Sequence, residues 1–183
     1  MYSAGDEIPA PSVRRFVMNG KINRKPGRAK EFGMSMLWYW TSYFIVTLIG
    51  IGHTIFNVAV LHMGSMAEGP GLGEGYEMTK PWHPLYNIIL FTFFGWLFLR
   101  GLVQPTLKKA LATGALWSGI SIVFDLVGWV LIKHPWSLTF KQFYVEYQPW
   151  ITLVYLAMLL GPVLGYLLLK KQKRTQIQMV EYT

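Results

Sequence analysis

The chain has 183 residues, of which 52% are hydrophobic, 16% aromatic and 14% charged, and its formal net charge is +8. Soluble domains carry about 25% charged residues, so this composition predicts a membrane protein and excludes an ordinary soluble domain. The chain has no cysteine, which excludes disulfides, zinc thiolate sites, iron–sulfur clusters and CxxC redox chemistry.

Four apolar runs are long enough to cross about 30 Å of hydrocarbon as helices. They cover residues 36–61, 85–103, 110–132 and 149–169. These runs predict an all-α fold, a four-transmembrane-helix bundle over residues 35–170. A basic tail over residues 1–34 precedes the bundle, and a short tail over residues 171–183 follows it.

The basic residues are distributed unevenly among the segments between the runs. Most of the 17 lie in the two tails and in the link between the second and third runs, namely Arg14, Arg15, Lys21, Arg24, Lys25, Arg28, Lys30, Arg100, Lys108, Lys109, Lys170, Lys171, Lys173 and Arg174. The other two connectors hold only Lys80, Lys133 and Lys141. By the positive-inside rule both termini are predicted to be cytoplasmic, in a plasma or inner membrane. This distribution accounts for the net charge, so we do not expect nucleic-acid binding.

The two connectors on the predicted outer side differ in composition. The first, residues 63–84, is rich in Gly and Glu and predicts a flexible link. The second carries aromatic residues at helical spacing, namely Trp136, Phe140, Phe143, Tyr144 and Tyr147. This spacing predicts a short amphipathic segment that lies in the membrane interface before the fourth run.

Small and polar residues follow one face of the third run, spaced three or four residues apart. They are Gly114, Ser118, Ser121, Asp125 and Gly128. Small residues allow close helix contact in lipid, so these positions, together with Gly50 in the first run, are predicted helix contacts. In the fourth run, Gly161 and Gly165 have GxxxG spacing, which predicts either a helix contact or a dimer face.

Asp125 is the one carboxylate within the four runs. An unpaired aspartate at membrane depth costs about 2.5–3.5 kcal/mol on insertion scales, so a polar partner is expected. Counting back from the outer ends of their runs places His53 and Asp125 at about the same depth, roughly 10–12 Å below the outer edge of the hydrocarbon. We therefore predict that these two residues pair.

The same depth argument extends the predicted pair to a polar pocket that opens to the outside. Its remaining members are Asn57, Tyr86, Asn87 and Tyr155. The sequence leaves open whether the pair only joins helices, binds a ligand or ion, or transfers protons.

No catalytic or cofactor motif is evident, because the chain lacks GxSxG, HExxH and DxD patterns. The outer histidines, His62, His83 and His134, lack metal-ligand spacing, so neither a metal nor a cofactor is predicted. The first interpretation is a non-enzymatic accessory or assembly subunit that contacts another membrane protein or a second copy of itself. The alternative is a binder or carrier of a small molecule, ion or lipid. A third interpretation is a lipid- or sterol-modifying enzyme.

Overall fold

A computed structural model describes residues 27–65, 73–134 and 137–181, and within them the fold is all-α, as predicted. The helices are α1 (Arg28–Ala59), α2 (Gly73–Glu77), α3 (His83–Arg100), α4 (Leu107–Asp125), α5 (Phe140–Tyr144) and α6 (Trp150–Glu181). A 3₁₀ turn, Lys80–Trp82, precedes α3, and a π-helical turn, Leu126–Leu131, continues α4. The helices α1, α3, α4 and α6 coincide with most of the four predicted runs and are long and apolar enough to cross a membrane.

Two of these helices are longer than the apolar runs that predicted them. The helix α1 begins at Arg28 instead of residue 36, and α6 continues to Glu181 instead of ending at residue 169. Lys, Arg and Gln favour helix strongly, so the chain stays helical after hydropathy falls. Most of the predicted C-terminal tail is therefore part of α6, while residues 1–26 lie outside the described residues.

Glycines bring the backbones of α3 and α6 into direct contact. A Cβ atom added to Gly161 would lie 2.7 Å from the carbonyl carbon of Phe91, and one added to Gly165 would lie 2.6 Å from the backbone nitrogen of Trp96. Both glycines are thus confirmed as helix contacts. The GxxxG face packs against α3 within the chain, so the alternative that it forms a dimer face is wrong.

The contact between α4 and α6 is equally close. A Cβ atom at Gly114 would lie 2.0 Å from the carbonyl oxygen of Leu159, and the Ser118 hydroxyl donates to the carbonyl of Tyr155 at 3.2 Å. Gly128 was predicted to lie on the same face, but an added Cβ there would meet nothing within 4 Å. The π-helical turn changes the number of residues per turn, so Gly128 no longer follows the face of α4.

Three side-chain hydrogen bonds join α1 to α4 at successive turns. Trp117 donates to Ser35 at 3.0 Å, the hydroxyls of Tyr39 and Ser121 bond at 2.9 Å, and Tyr43 donates to Asp125 at 2.5 Å. Each pair is 82 residues apart, and a constant offset requires the two helices to run in the same direction. We call these bonds the α1–α4 ladder; its Ser121 contact confirms that residue as a helix contact.

The first of these two connectors, residues 63–84, is more ordered than predicted. From Gly73 onward it forms α2, which packs against the end of α1: the side-chain amide of Asn57 donates to the Gly75 carbonyl at 2.9 Å and to the Thr79 hydroxyl at 3.1 Å. The prediction of a flexible link is therefore wrong for this part, because the buried amide at the end of α1 binds it. Residues 66–72 lie outside the described residues.

The aromatic connector does contain the short helix α5, opened by a capping box between Thr139 and Gln142. Its aromatic side chains point in different directions, however. Phe143 and Tyr147 are only 5% and 4% exposed, whereas Phe140 is 60% exposed. Phe143 and Tyr147 are therefore buried against the bundle, whereas Phe140 is exposed. Trp136 lies outside the described residues.

Candidate functional site

A cavity of about 380 Å³ lies between α1 and the helices that face it. This volume is within the usual range for a small-molecule site. Its walls are mostly apolar, with a few polar groups, and consist of Tyr43, Val46, Thr47, Gly50, Ile51, Thr54, Ile55, Tyr76, His83, Asn87, Asp125, Trp129, Leu138, Phe143, Tyr147, Ile151, Val154 and Met158.

The cavity follows α1 from Tyr43 to Ile55, which corresponds to about 18 Å at 1.5 Å per residue. Asp125 marks one end, because it bonds to Tyr43. His83 lies near the middle, where its imidazole Nε2 is 3.1 Å from a Cβ built on Gly50. Gly50 therefore contacts α3, as predicted, and its missing side chain leaves room for the cavity.

The carboxylate of Asp125 is buried and accepts hydrogen bonds on both oxygens. Tyr43 donates to one oxygen at 2.5 Å and Tyr155 donates to the other at 3.0 Å. Asp125 is 6% exposed. A carboxylate has about four lone-pair sites, so these two bonds leave capacity for a further donor.

The π-helical turn that follows Asp125 directs Trp129 onto the cavity wall. The backbone carbonyls that this turn releases find other donors. His134 donates to Gly128 at 2.9 Å, the Leu138 amide to Trp129 at 2.8 Å, and the Lys133 ammonium to Val130 at 3.2 Å. These three bonds satisfy the carbonyls of Gly128, Trp129 and Val130, and π-helical turns are frequent at functional sites.

Asn87 places an unpaired polar atom at the cavity wall. Its side-chain amide donates to the His83 carbonyl at 2.8 Å, which identifies the nitrogen and leaves Oδ1 as the other atom. Asn87 is 2% exposed, and its Oδ1 has no partner among the described residues. Buried acceptors are nearly always paired, so this unpaired atom sets Asn87 apart from the other polar side chains of the cavity wall.

His83 and Tyr147 close the cavity on the side of the aromatic connector. The hydroxyl of Tyr147 bonds to Nδ1 of His83. Burial, reinforced by the neighbouring Tyr76, raises the pKa of Tyr147 above its ordinary value. The phenol therefore stays protonated at neutral pH and can donate to the imidazole.

The predicted pairing of His53 with Asp125 is wrong. His53 bonds through Nδ1 to the Tyr86 hydroxyl at 2.8 Å, while Asp125 bonds to Tyr43, which lies about 15 Å from His53 along α1 at 1.5 Å per residue. The ends of apolar runs do not set the vertical offset between helices, so the depth estimate failed. Asn57 binds the α2 segment instead of the cavity.

Other predicted residues do come together. Asn87 and Asp125 line the same cavity, and Tyr155 bonds to Asp125 from α6.

The sequence analysis did not predict four residues of the cavity, namely Tyr43, His83, Trp129 and Tyr147. A signal for Tyr43 was present, because Ser35, Tyr39 and Tyr43 repeat every four residues, as do their partners on α4.

Comparison with known proteins adds no assignment: no protein family, curated protein or solved structure matches the chain. Among residues 27–65, 73–134 and 137–181, no group of three His, Asp or Glu side chains could hold a metal ion. The cavity is therefore the feature of the structure that indicates a function.

Proposed function

We propose that the protein is an integral membrane binder or carrier of a small amphiphilic molecule. The observation that carries the proposal is the cavity, whose mostly apolar wall includes the buried side chains of Asp125 and Asn87. Apolar walls with a few convergent polar groups are typical of small-molecule sites.

The energetics of Asp125 support a functional role. Its cost at membrane depth is about 2.5–3.5 kcal/mol on insertion scales, whereas a hydrogen bond between membrane helices contributes about 0.6 kcal/mol on average. Two phenol bonds offset only part of that cost. A neutral residue would join the helices with less penalty, so ligand binding explains the acid better than helix association does.

The exposure of α1 supports access from the bilayer. Ile51 and Ile55 line the cavity, yet they are 45% and 59% exposed. Both side chains therefore contact the cavity on one side and the surroundings of the bundle on the other. A ligand that partitions into the membrane would reach the cavity along this side of α1.

A pair of matched variants tests binding. Ile51→Trp places a large ring at the cavity wall. Ile49→Trp places the same ring two residues earlier on α1, at a position that is 39% exposed and does not line the cavity. Native mass spectrometry after gentle detergent extraction should detect a bound small molecule in wild type and in Ile49→Trp. Its occupancy in Ile51→Trp should be lower by at least about fivefold. Equal occupancy in both variants would place the ligand elsewhere.

The same purification distinguishes the other interpretations. A protein partner present in stoichiometric amount, with an empty cavity, would favour an accessory or assembly subunit. A bound molecule that is chemically converted by wild type and not by Asp125→Asn would favour an enzyme that modifies a lipid or sterol.

We further propose that both termini are cytoplasmic and that the bundle lies in a plasma or inner membrane, on the charge asymmetry of the connectors. Because the chain has no cysteine, any introduced thiol is unique. A membrane-impermeant maleimide applied to intact cells should label Glu77→Cys in the outer connector and should not label Lys171→Cys in α6. The reverse labelling pattern would invert the topology.

A further inference from the structure

We infer that the ligand of this cavity is an amphiphilic organic cation whose ammonium group binds at Asp125, an inference that rests on the proposed binding function. It names the chemical class of the ligand and the atoms that recognise it. The charges, the aromatic rings and the apolar walls of the cavity favour this class of ligand.

The charges that face the cavity have one sign. Its described lining contains the carboxylate of Asp125 and no lysine or arginine. The ion pairs found among the described side chains join Lys80 to Glu77, Lys109 to Glu31 and Lys141 to Glu146, and none includes Asp125. A buried carboxylate without a cation is unfavourable, so a cationic ligand would supply the missing charge.

Aromatic rings surround the same space. Tyr43, Tyr76, Trp129, Phe143 and Tyr147 all line the cavity. The faces of such rings attract cations, so a lining rich in aromatic residues suits an ammonium group.

Outside the cavity lining, a cation already lies over two of these rings. The ammonium of Lys80, paired with Glu77 at 2.5 Å, lies 5.2 Å from the ring centre of Tyr147 and 5.7 Å from that of Tyr76. Lys80 is therefore balanced by its own acid and does not neutralise Asp125.

The rest of the cavity suits an apolar body. Val46, Ile151, Val154 and Met158 form apolar walls. The volume of about 380 Å³ is far more than the roughly 10–15 Å³ that a single water molecule needs. An inorganic cation would need several more oxygen ligands than Asp125 offers, and a neutral lipid would leave the carboxylate without its counter-charge.

Two probes of nearly equal shape separate charge from shape. Octyltrimethylammonium and 2,2-dimethyldecane differ only by the exchange of the ammonium nitrogen for carbon. Each would be titrated by mole fraction into lipid nanodiscs that hold wild-type protein, and the thermal unfolding midpoint would be followed. Asp125→Asn removes the cavity charge, and Glu146→Gln, at an exposed carboxylate, removes a charge elsewhere.

The expected result is saturable stabilisation by the ammonium probe, with at least about tenfold higher affinity than for the alkane. Asp125→Asn should lose that preference and Glu146→Gln should keep it. If Asp125→Asn does not fold, Trp129→Leu serves instead, and it should weaken ammonium binding at least about threefold without changing alkane binding.

The contrary results point to different failures. Equal affinity for the two probes, or a preference that persists in Asp125→Asn, overturns the cation inference and leaves the binding function intact. No binding of either probe to wild type also overturns the inference. In that case the Ile51→Trp and Ile49→Trp comparison decides separately whether the cavity binds any ligand.

Discussion

The two sides of this bundle are held together in different ways. Between α6 and its neighbours α3 and α4, glycines bring backbone against backbone, and 39% of the α6 span is buried within the chain. On the α1 side, three hydrogen bonds bridge to α4, a cavity opens, and only 17% of the span is buried. Lipid offers no hydrophobic force between helices, so close packing holds the first side, whereas the looser second side has room for a ligand.

Gly114→Ala should have the largest effect on this contrast. Its Cβ would lie 2.0 Å from the Leu159 carbonyl oxygen, which is backbone and cannot turn away. We expect the free energy of unfolding to fall by about 3 kcal/mol, measured by denaturation in SDS and followed by circular dichroism. The control is Gly119→Ala on the same helix, where nothing lies within 4 Å and alanine should stabilise by up to about 1 kcal/mol. Similar losses in both variants would argue against the close contact of α4 with α6.

A smaller effect is expected in the α1–α4 ladder. Ser121→Ala removes the hydroxyl that bonds to Tyr39 at 2.9 Å, and both residues are fully buried. A double-mutant cycle with Tyr39→Phe should give a coupling energy of about 0.6 kcal/mol, the average for hydrogen bonds between membrane helices. A coupling above about 3 kcal/mol, the loss expected for Gly114→Ala, would show that the ladder contributes as much to stability as the glycine packing.

The smallest effect on stability is expected for Gly50→Ala at the cavity wall. The nearest atom to its Cβ is Nε2 of His83 at 3.1 Å, at the end of a side chain that borders the cavity and can shift. Better helix propensity should offset the contact, so unfolding should change by less than about 0.5 kcal/mol. The bound molecule detected by native mass spectrometry should nevertheless decrease, because the added methyl group narrows the cavity. If Gly50→Ala lowered the free energy of unfolding as much as Gly114→Ala, the α1 side would be packed as closely as the α6 side.

Much of the fold follows from the sequence alone. Four runs of about 20 apolar residues predict four helices long and apolar enough to span a membrane, and α1, α3, α4 and α6 match them. Small residues at helical spacing identified Gly114, Gly161 and Gly165 as contacts, since only such residues permit close approach. Asp125 and Asn87 were predicted as pocket residues because polar side chains within apolar helices are costly, and both line the cavity.

Tertiary structure alone decided which polar groups meet. Hydropathy places a residue within its own helix but carries no information on how far one helix is shifted along another. In the structure, Asp125 lies level with Tyr43, 82 residues earlier in the chain, and bonds to it. His53 lies farther along α1 and bonds to Tyr86. The π-helical turn removed Gly128 from the contact face and turned Trp129 into the cavity, because one irregular turn changes the direction of every residue within it.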